Sequence, residues 1–343
     1  MEIPLISALK KKFIKDKFAF GLDIGSFTIK VVKLKLSKDG AELCDYKIAP
    51  SEFDVIAVLK KLKDSENLDS ANISFSGIST VIRYVNFPKM SPEDLKKSLK
   101  FEAQKYIPFS IEEVNFDSYI LKENLPDNKM LVLLAAVKKD FMSQRRKILE
   151  GAGIKTAVAE IDSTALTNSF CFNYGQDSEL KDKTVGLLNI GGSLSNLNII
   201  ENGLPCLSRD IHIAGSSFTQ KIADAFGIDV KSVESLKLKP NKEQEEKISQ
   251  AADSVVARLA SEIRTSFDYY ESQQAASVGK IFLSGGGSLL LAIKEGLANL
   301  LGIEVDYWDP FKKITIAADL DAQQVRACAS QLAVAVGLAL HSY

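Results

Sequence analysis

Apolar and polar positions alternate along residues 18–48, where β-branched and aromatic side chains are frequent. That two-residue period predicts strands over "FAFGLDIG", "FTIKVVKLKLS" and "ELCDYKIA". The period then changes. In residues 52–63, "EFDVIAVLKKLK", Phe53, Ile56, Leu59 and Leu62 fall on one helical stripe. "NISFSGIST" follows as a short buried strand. Strands and helices that succeed one another in this way predict an α/β layer.

Residues 81–156 read as a unit of their own. "VIRYVNFP" is a strand. Ser91 and Pro92 suit the cap and first position of a helix over "SPEDLKKSLKFEAQKY", with Leu95, Leu99 and Glu102 on one side and Pro108 as its stop. "VNFDSYILKEN" and "KMLVLLAAVKK" pair about a turn at Pro126–Asn128. "DFMSQRRKILEGAG" is a helix with glycines at its end, and "KTAVAEID" returns as a strand. Strand, helix, strand, strand, helix, strand makes a small α+β insert at about 80–156.

After the polar connection "YGQDSELKDK" the opening pattern returns. "TVGLLNIGGSLSNLNIIENG" again has an apolar run, a polar residue, Ile, Gly, a small polar residue and a second apolar run. "GSSFTQKIADAFG" predicts a helix, and residues 229–275 are mostly helical and charged. "KIFLSGGGSLLLAIKEGLANLLG" reads as a strand, a glycine turn and a helix that the turn opens. "AQQVRACASQLAVAVGLALHSY" is a helix apolar enough to be buried.

Three turns carry candidate chemistry: Asp23-Ile24-Gly25-Ser26, Asn189-Ile190-Gly191-Gly192-Ser193 and Ser284-Gly285-Gly286-Gly287-Ser288. The first two are one hairpin used twice. Glycine lets backbone N–H groups approach a phosphate, and successive N–H groups form an anion-binding nest. Ser26 and Ser193 can add hydroxyl donors, and Lys30 a cation. Asp23 stands where a water-coordinated Mg²⁺ would need a carboxylate. The third turn offers amides and a close backbone approach to a flat ring. Each turn alone has an ordinary reading as a tight or flexible loop; the three in this order form the signal. Other features have bland readings. Lys30 has Lys33 and Lys35 nearby and can be a solvated strand residue. Asp162 reads as a helix cap, or as a group near an attacking water. "RRK" at 145–147 reads as the wet face of a helix. Phe267, Tyr269 and Tyr270 read as interdomain core, and Trp308 as a lone loop aromatic.

Composition narrows the classes. A chain of 343 residues favours two domains over one small core. With 43 basic and 44 acidic residues the net charge is −1, so no global field draws the chain to nucleic acid. Cys44, Cys171, Cys206 and Cys328 are scattered without CxxC spacing, which fits reduced thiols better than a disulfide frame or zinc site. His212 and His341 are the only histidines, too few for His-based metal sites or most His-dependent triads. No run of about 18 uncharged apolar residues predicts a spanning helix. The N-terminus lacks the order of a signal peptide. There Ile6, Leu9 and Phe13 share a helical face beside Lys10, Lys11, Lys12, Lys15 and Lys17. That face reads either as a weak membrane-surface helix or as a short helix packed on its own domain or left mobile.

On these residues the sequence resembles the actin-like ATPase superfamily and, within it, the PilM family of type IV pilus assembly proteins. The two hairpins and "LSGGGS" carry the first resemblance. "FPKMSPEDLKKSLKFEAQKYIPFSIEEVNFDSYIL", "ENGLPCLSRDIHIAG" with "FTQKIADAFGI", and "SEIRTSFDYYES" carry the second, which runs from about Phe18 to the C-terminus. The resemblance implies a two-lobed actin-like, ribonuclease H-like α/β fold with a small α+β inserted subdomain. The lobes would be 18–183 and 184–343 after an extension at 1–17, with residues 322–343 returning to the first lobe. It implies ATP and Mg²⁺ as cofactors. Asp23 matches the metal-side aspartate, reaching Mg²⁺ through water. Gly25, Ser26 and Lys30 match the first phosphate loop, and Gly191, Gly192 and Ser193 the second. Glu234 and Lys237 match an Ala-Glu-x-x-Lys motif on the ribose and adenine side, with Val233 replacing the alanine. Gly285, Gly286, Gly287 and Ser288 match the adenosine loop. One departure stands out: the second loop normally reads Asp-Ile-Gly, and this chain has Asn189, a weaker metal contact, so slow or absent hydrolysis is expected.

The implied function is a cytoplasmic ATP-binding adaptor of type IV pilus or related secretion assembly. It would bind the N-terminal cytoplasmic tail of an inner-membrane partner, PilN, and so sit at the inner membrane. Other pilus ATPase or platform components and self-association are further expected contacts. Two alternatives share the fold. An FtsA-like division protein would usually end in a linker and an amphipathic helix. A small-molecule kinase would need a catalytic aspartate facing a substrate hydroxyl.

Overall fold

A computed structural model of the chain describes residues 17–51, 54–180, 183–274 and 276–342. The N-terminal face around Ile6, Leu9 and Phe13, and Phe53 of the first helical stripe, lie outside the described residues. The chain divides into two compact units. One comprises residues up to Asn173 together with Phe311–Asp321 and the chain from Val334 onward; the other comprises Tyr174–Pro310 and Ala322–Ala333.

The first unit opens with β1 (Lys17–Ile24), β2 (Thr28–Ser37) and β3 (Gly40–Pro50), an antiparallel meander. Helix α1 (Val55–Glu66) starts three residues later than its apolar stripe suggests. Asp54 decides this, because its carboxylate accepts from the Ala57 N–H and caps the helix. Asn67, in the left-handed conformation, ends it. Strand β4 (Ser70–Phe75) then pairs parallel with β1.

A separate three-stranded sheet follows. It is built from β5 (Thr80–Pro88), β6 (Val114–Leu125) and β7 (Lys129–Lys138), in the order β5-β7-β6. Helix α2 (Pro92–Glu102) lies on one face. Ser91 caps it by accepting from the Asp94 N–H, with Pro92 in its first turn. The unbroken apolar run in β7 has a simple cause. Val132, Leu134 and Ala136 pack with Leu95 and Leu99 of α2, while Leu133, Ala135 and Val137 face the core of the larger sheet.

The insert ends sooner than the sequence pattern suggests. Helix α3 (Lys139–Gly151) leaves β7 without a loop, and β8 (Lys155–Ile161) pairs parallel with β4. Leu149 of α3 and Ile154 and Ala159 near β8 join the core of Leu22, Leu59 and Ile73. The extra sheet is therefore residues 80–138, and α3 and β8 are part of the main layer. Helix α4 (Asp162–Tyr174) completes this half of the chain.

The second unit repeats the plan. Strands β9 (Thr184–Ile190), β10 (Ser195–Glu201) and β11 (Leu204–Ile211) form a second meander. Helices α5 (Gly215–Phe226), α6 (Val230–Leu238) and α7 (Lys242–Gln273) follow. Strand β12 (Lys280–Ser284) pairs parallel with β9. Helix α8 (Ile293–Leu301) then leads to β13 (Glu304–Tyr307), parallel to β12. The sheet order is β11-β10-β9-β12-β13. Its core joins Leu197, Ile199 and Ile281 to Val255, Leu259, Ile263 and Phe267 of α7 and to Leu297 of α8. Phe267 and Tyr270 belong to this core rather than to one between domains, whereas Tyr269 is exposed.

The unit boundary falls at Tyr174, not near 183. Its ring packs against Phe282 at 5.8 Å and edge-on to Trp308 at 6.2 Å, all within the second unit. Trp308 follows the end of β13 in an irregular segment, as a loop aromatic would, but it is buried and has Tyr174 as a ring neighbour, so it is not a lone one. Strand β14 (Ile314–Ile316) returns to the first unit and pairs parallel with β3, giving the order β14-β3-β2-β1-β4-β8. Helix α9 (Ala322–Ala339) is shared. Its first part counts with the second unit, where the Gly285 N–H donates to the Ser330 carbonyl at 2.7 Å. Only Val334 onward counts with the first unit, a shorter return than the whole terminal segment. Two glycines admit that part: a Cβ on Gly21 would lie 1.9 Å from the Ala335 carbonyl oxygen, and one on Gly337 would lie 1.8 Å from that of Ala165. The Asn72 amide donates to the Leu338 carbonyl at 2.8 Å, and His341 bonds to the buried Glu160 carboxylate.

Candidate functional site

Each large sheet carries a hairpin between its first two strands, and the two tips close alike. The Gly25 N–H donates to the Thr28 carbonyl at 3.1 Å, and the Gly191 N–H donates to the Leu194 carbonyl at 3.0 Å. A Cβ on Gly25 would lie 2.9 Å from the Thr28 oxygen, and one on Gly191 would lie 2.7 Å from the Leu194 oxygen. Side chains are thus excluded from both turns by the backbone itself. Ser26 and Ser193 are exposed at the tips.

In the first unit the tip is backed by charge. Asp23 stands opposite Lys30 in the β1–β2 ladder, and the Lys30 ammonium donates to Asp23 Oδ2 at 2.9 Å. Both side chains are largely buried. A third group comes from α3. Arg145 Nη1 donates to the Ile24 carbonyl at 3.2 Å. Burial lowers the Arg145 pKa from its ordinary value, and the carboxylates of Asp162 and Asp23 act in the opposite direction. The wet-face reading of "RRK" therefore holds for Arg146 and Lys147, which are exposed, and fails for half-buried Arg145. No local signal separates the three, because periodicity cannot say which long side chain reaches a distant carbonyl. Asp162, at the first position of α4, joins the same cluster.

In the second unit the equivalent positions are neutral. Asn189 stands opposite Asn196. The Ser284 hydroxyl donates to Asn189 Oδ1 at 3.2 Å. Asn196 accepts from the Asn198 amide at 2.7 Å and donates to Asp210 Oδ1 at 2.7 Å. This chain of amides holds the hairpin where the first unit uses an ion pair.

The glycine turn packs on that hairpin. Gly285 has φ +86°, and a Cβ there would lie 2.3 Å from the Ile190 carbonyl oxygen. A Cβ on Gly287 would lie 2.7 Å from Ile190 Cγ2. These two glycines are required by the packing of turn on hairpin. Gly286 has ordinary space, its nearest neighbour being Gln331 at 3.6 Å. Ser288 is fully buried, and its hydroxyl donates to the Gly285 carbonyl at 2.7 Å, inside the turn. The turn does not open an α-helix: Gly286–Leu289 form a short 3-10 segment, and α8 begins only at Ile293.

Helix α5 starts on the same hairpin. The Gly215 and Ser216 N–H groups donate to the Gly191 and Gly192 carbonyls at 2.9 and 2.7 Å, satisfying two amides that a helix start leaves open. One turn on, Thr219 meets the pair from α6. Lys237 donates to Thr219 Oγ1 at 2.8 Å and to Glu234 Oε1 at 2.7 Å, and the Thr219 hydroxyl also lies 3.0 Å from Glu234 Oε1. The second unit thus gathers Asn189, Gly191, Gly192, Ser193, Gly285, Gly286 and Gly287 at one edge, with Glu234 and Lys237 joined to it through α5. The first unit gathers Asp23, Gly25, Ser26, Lys30, Arg145 and Asp162.

Taken unit by unit, these groups suit a phosphate-bearing ligand: the first unit sets cations beside carboxylates at its glycine turn, and the second packs a glycine turn against its hairpin. Among the described residues no group of three or more His, Cys, Asp or Glu could hold a metal ion. In the first unit Asp23 is a carboxylate of the kind that could hold a hydrated Mg²⁺ through water; in the second, Asn189 could offer only a carbonyl-type oxygen.

The chain matches, over residues 21–343, the family model described as type IV pilus assembly protein PilM. This chain belongs to that family. Among solved structures it is similar to the PilM-PilN type IV pilus biogenesis complex, with a TM-score of 0.82 and 23% identity over 95% of this chain and 98% of that one. It is also similar to ethanolamine utilization protein EutJ from Carboxydothermus hydrogenoformans, with a TM-score of 0.56 and 14% identity over 98% of this chain and 94% of that one. The fold is accordingly the actin-like α/β fold that the turns and their order imply. Among the described residues no helix is long and apolar enough to cross a membrane.

Proposed function

We propose that this family member is an ATP-binding adaptor of type IV pilus or related secretion assembly, with slow hydrolysis. It binds the N-terminal cytoplasmic tail of a PilN-like inner-membrane protein and is held at the membrane by that partner. The observation that carries the nucleotide part is the repeated hairpin: two sheets of matching strand order, each with a glycine tip closed by the same backbone bond. The partner part is supported by family membership and by near-full-length similarity to a structure described as PilM with PilN.

In this reading Gly25, Ser26, Lys30, Gly191, Gly192 and Ser193 serve the phosphates, and Asp23 a hydrated Mg²⁺. Glu234, Lys237 and the exposed edge of the glycine turn serve the nucleoside. Ser288 holds that turn and does not itself touch the ligand. Asn189 is what slows hydrolysis: it keeps the shape of an aspartate but offers only a neutral oxygen, already accepting from Ser284.

Nucleotide content of the purified chain, followed by phosphate release under excess Mg²⁺ and ATP, tests the first part. Bound ATP with negligible turnover is expected, and Asn189→Asp should raise turnover about tenfold or more, which corresponds to about 1.4 kcal/mol of barrier. Unchanged turnover in that variant sinks the account of Asn189. Calorimetry with a synthetic N-terminal peptide of a PilN-like protein tests the second part, and absence of binding sinks it.

A further inference from the structure

Arg145 is the one cation of the first-unit cluster that no phosphate-loop pattern includes. It lies in the second turn of α3, a helix anchored by buried Leu149 and entered from the insert strand β7 without a loop. Its backbone is therefore firmly placed, and a long cationic side chain is held half-buried where solvation would favour exposure. One bond, to the Ile24 carbonyl, points the guanidinium at the tip beside Gly25. A guanidinium carries five N–H donors in a fixed fork, so donors remain for a second acceptor group.

Charge tells what kind of acceptor. Lys30 is already neutralised by Asp23 at 2.9 Å. Arg145 lies in the field of Asp23 and Asp162. The four groups sum to no formal charge, so the tip attracts neither a bare anion nor a bare cation strongly. A metal-bound phosphate chain matches both halves of the cluster at once. Its cation suits the carboxylates, and its oxygens suit the ammonium and the planar fork, which fits phosphate geometry bidentately.

We infer that Arg145 is a second phosphate-contacting cation of the first hairpin, acting beside Lys30 on the phosphate chain of the bound nucleotide. This rests on the nucleotide reading proposed above. It gives the insert's exit helix a direct contact with the ligand.

The test compares MgATP and adenosine binding to the full chain in wild type, Arg145→Gln and Arg145→Lys. Melting of each unliganded protein is measured alongside. Glutamine keeps an amide donor but carries no charge and is shorter; lysine keeps the charge and loses the fork. Arg145→Gln should weaken MgATP about tenfold or more, the size expected for one charge-assisted bond. It should leave adenosine within about twofold, and Arg145→Lys should fall between. Equal weakening of ATP and adenosine would make Arg145 a prop for the hairpin and overturn the inference, as would unchanged ATP binding. A wild-type chain that binds neither ligand overturns the nucleotide reading as well.

Discussion

The two hairpins share a backbone and differ in what stands behind it. In the first, Asp23 and Lys30 face each other as an ion pair, with Arg145 and Asp162 alongside. In the second, Asn189 and Asn196 occupy the corresponding ladder positions and are tied by amide hydrogen bonds to the Ser284 hydroxyl, the Asn198 amide and the Asp210 carboxylate. The difference teaches which part of the pattern is architecture. The glycine tip recurs because the turn demands it; the polar residue before it is free to be a charged group or a neutral strut. The second hairpin has also acquired a load that the first lacks, since the glycine turn and the start of α5 both rest on it.

That load is the place to break the comparison with the largest effect. Gly285→Ala would set a Cβ against the Ile190 backbone at a positive φ, so unfolding free energy should fall by about 3 kcal/mol. Urea denaturation followed by circular dichroism measures it, and a change below about 1 kcal/mol would mean that the turn yields. Asp23→Asn gives the first hairpin the amide that the second has at this position. It strands the largely buried Lys30 and should cost about 1–3 kcal/mol. The double variant Asp23→Asn with Lys30→Asn reproduces the pair of the second hairpin and should regain part of the loss. A purely additive cycle would show that the ion pair is not coupled. Ser288→Ala removes the hydroxyl that clamps the glycine turn, and a thermal melt should register about 1 kcal/mol of destabilisation. Glu234→Gln should change stability least, by less than about 1 kcal/mol, because Glu234 is mostly exposed. If it nonetheless weakens MgATP, Glu234 serves ligand rather than fold.

Much of the architecture was legible from local pattern. The alternation in residues 18–48 and its return at 184–203 correspond to the two meanders, and Ser91 with Pro92 marks the start of α2. What was not legible is what depends on distant partners. The pattern of "KTAVAEID" says strand without saying whose, and only pairing with β4 assigns β8 to the main sheet. Tyr174 belongs with the second unit because of Phe282 and Trp308, more than a hundred residues away. The candidate site divides the same way. Gly25, Lys30 and Gly191 announce themselves through the turn signature. Arg145 is indistinguishable in sequence from Arg146 and Lys147, and Ser288 reads as a ligand-facing hydroxyl until its bond to Gly285 is seen.

The narrow seat that Gly21 and Gly337 make for residues 334–342 has a consequence for biosynthesis. The half of the molecule translated first is left without part of its interior until the ribosome has added well over a hundred further residues. At about 5–20 residues per second that interval is on the order of ten seconds or more. Throughout it, one side of the β1 layer waits as an open, apolar face. The expected outcome is that slowing elongation between residues 174 and 333 raises the chain's demand on chaperones, measured by chaperone co-purification with ribosome-bound chains.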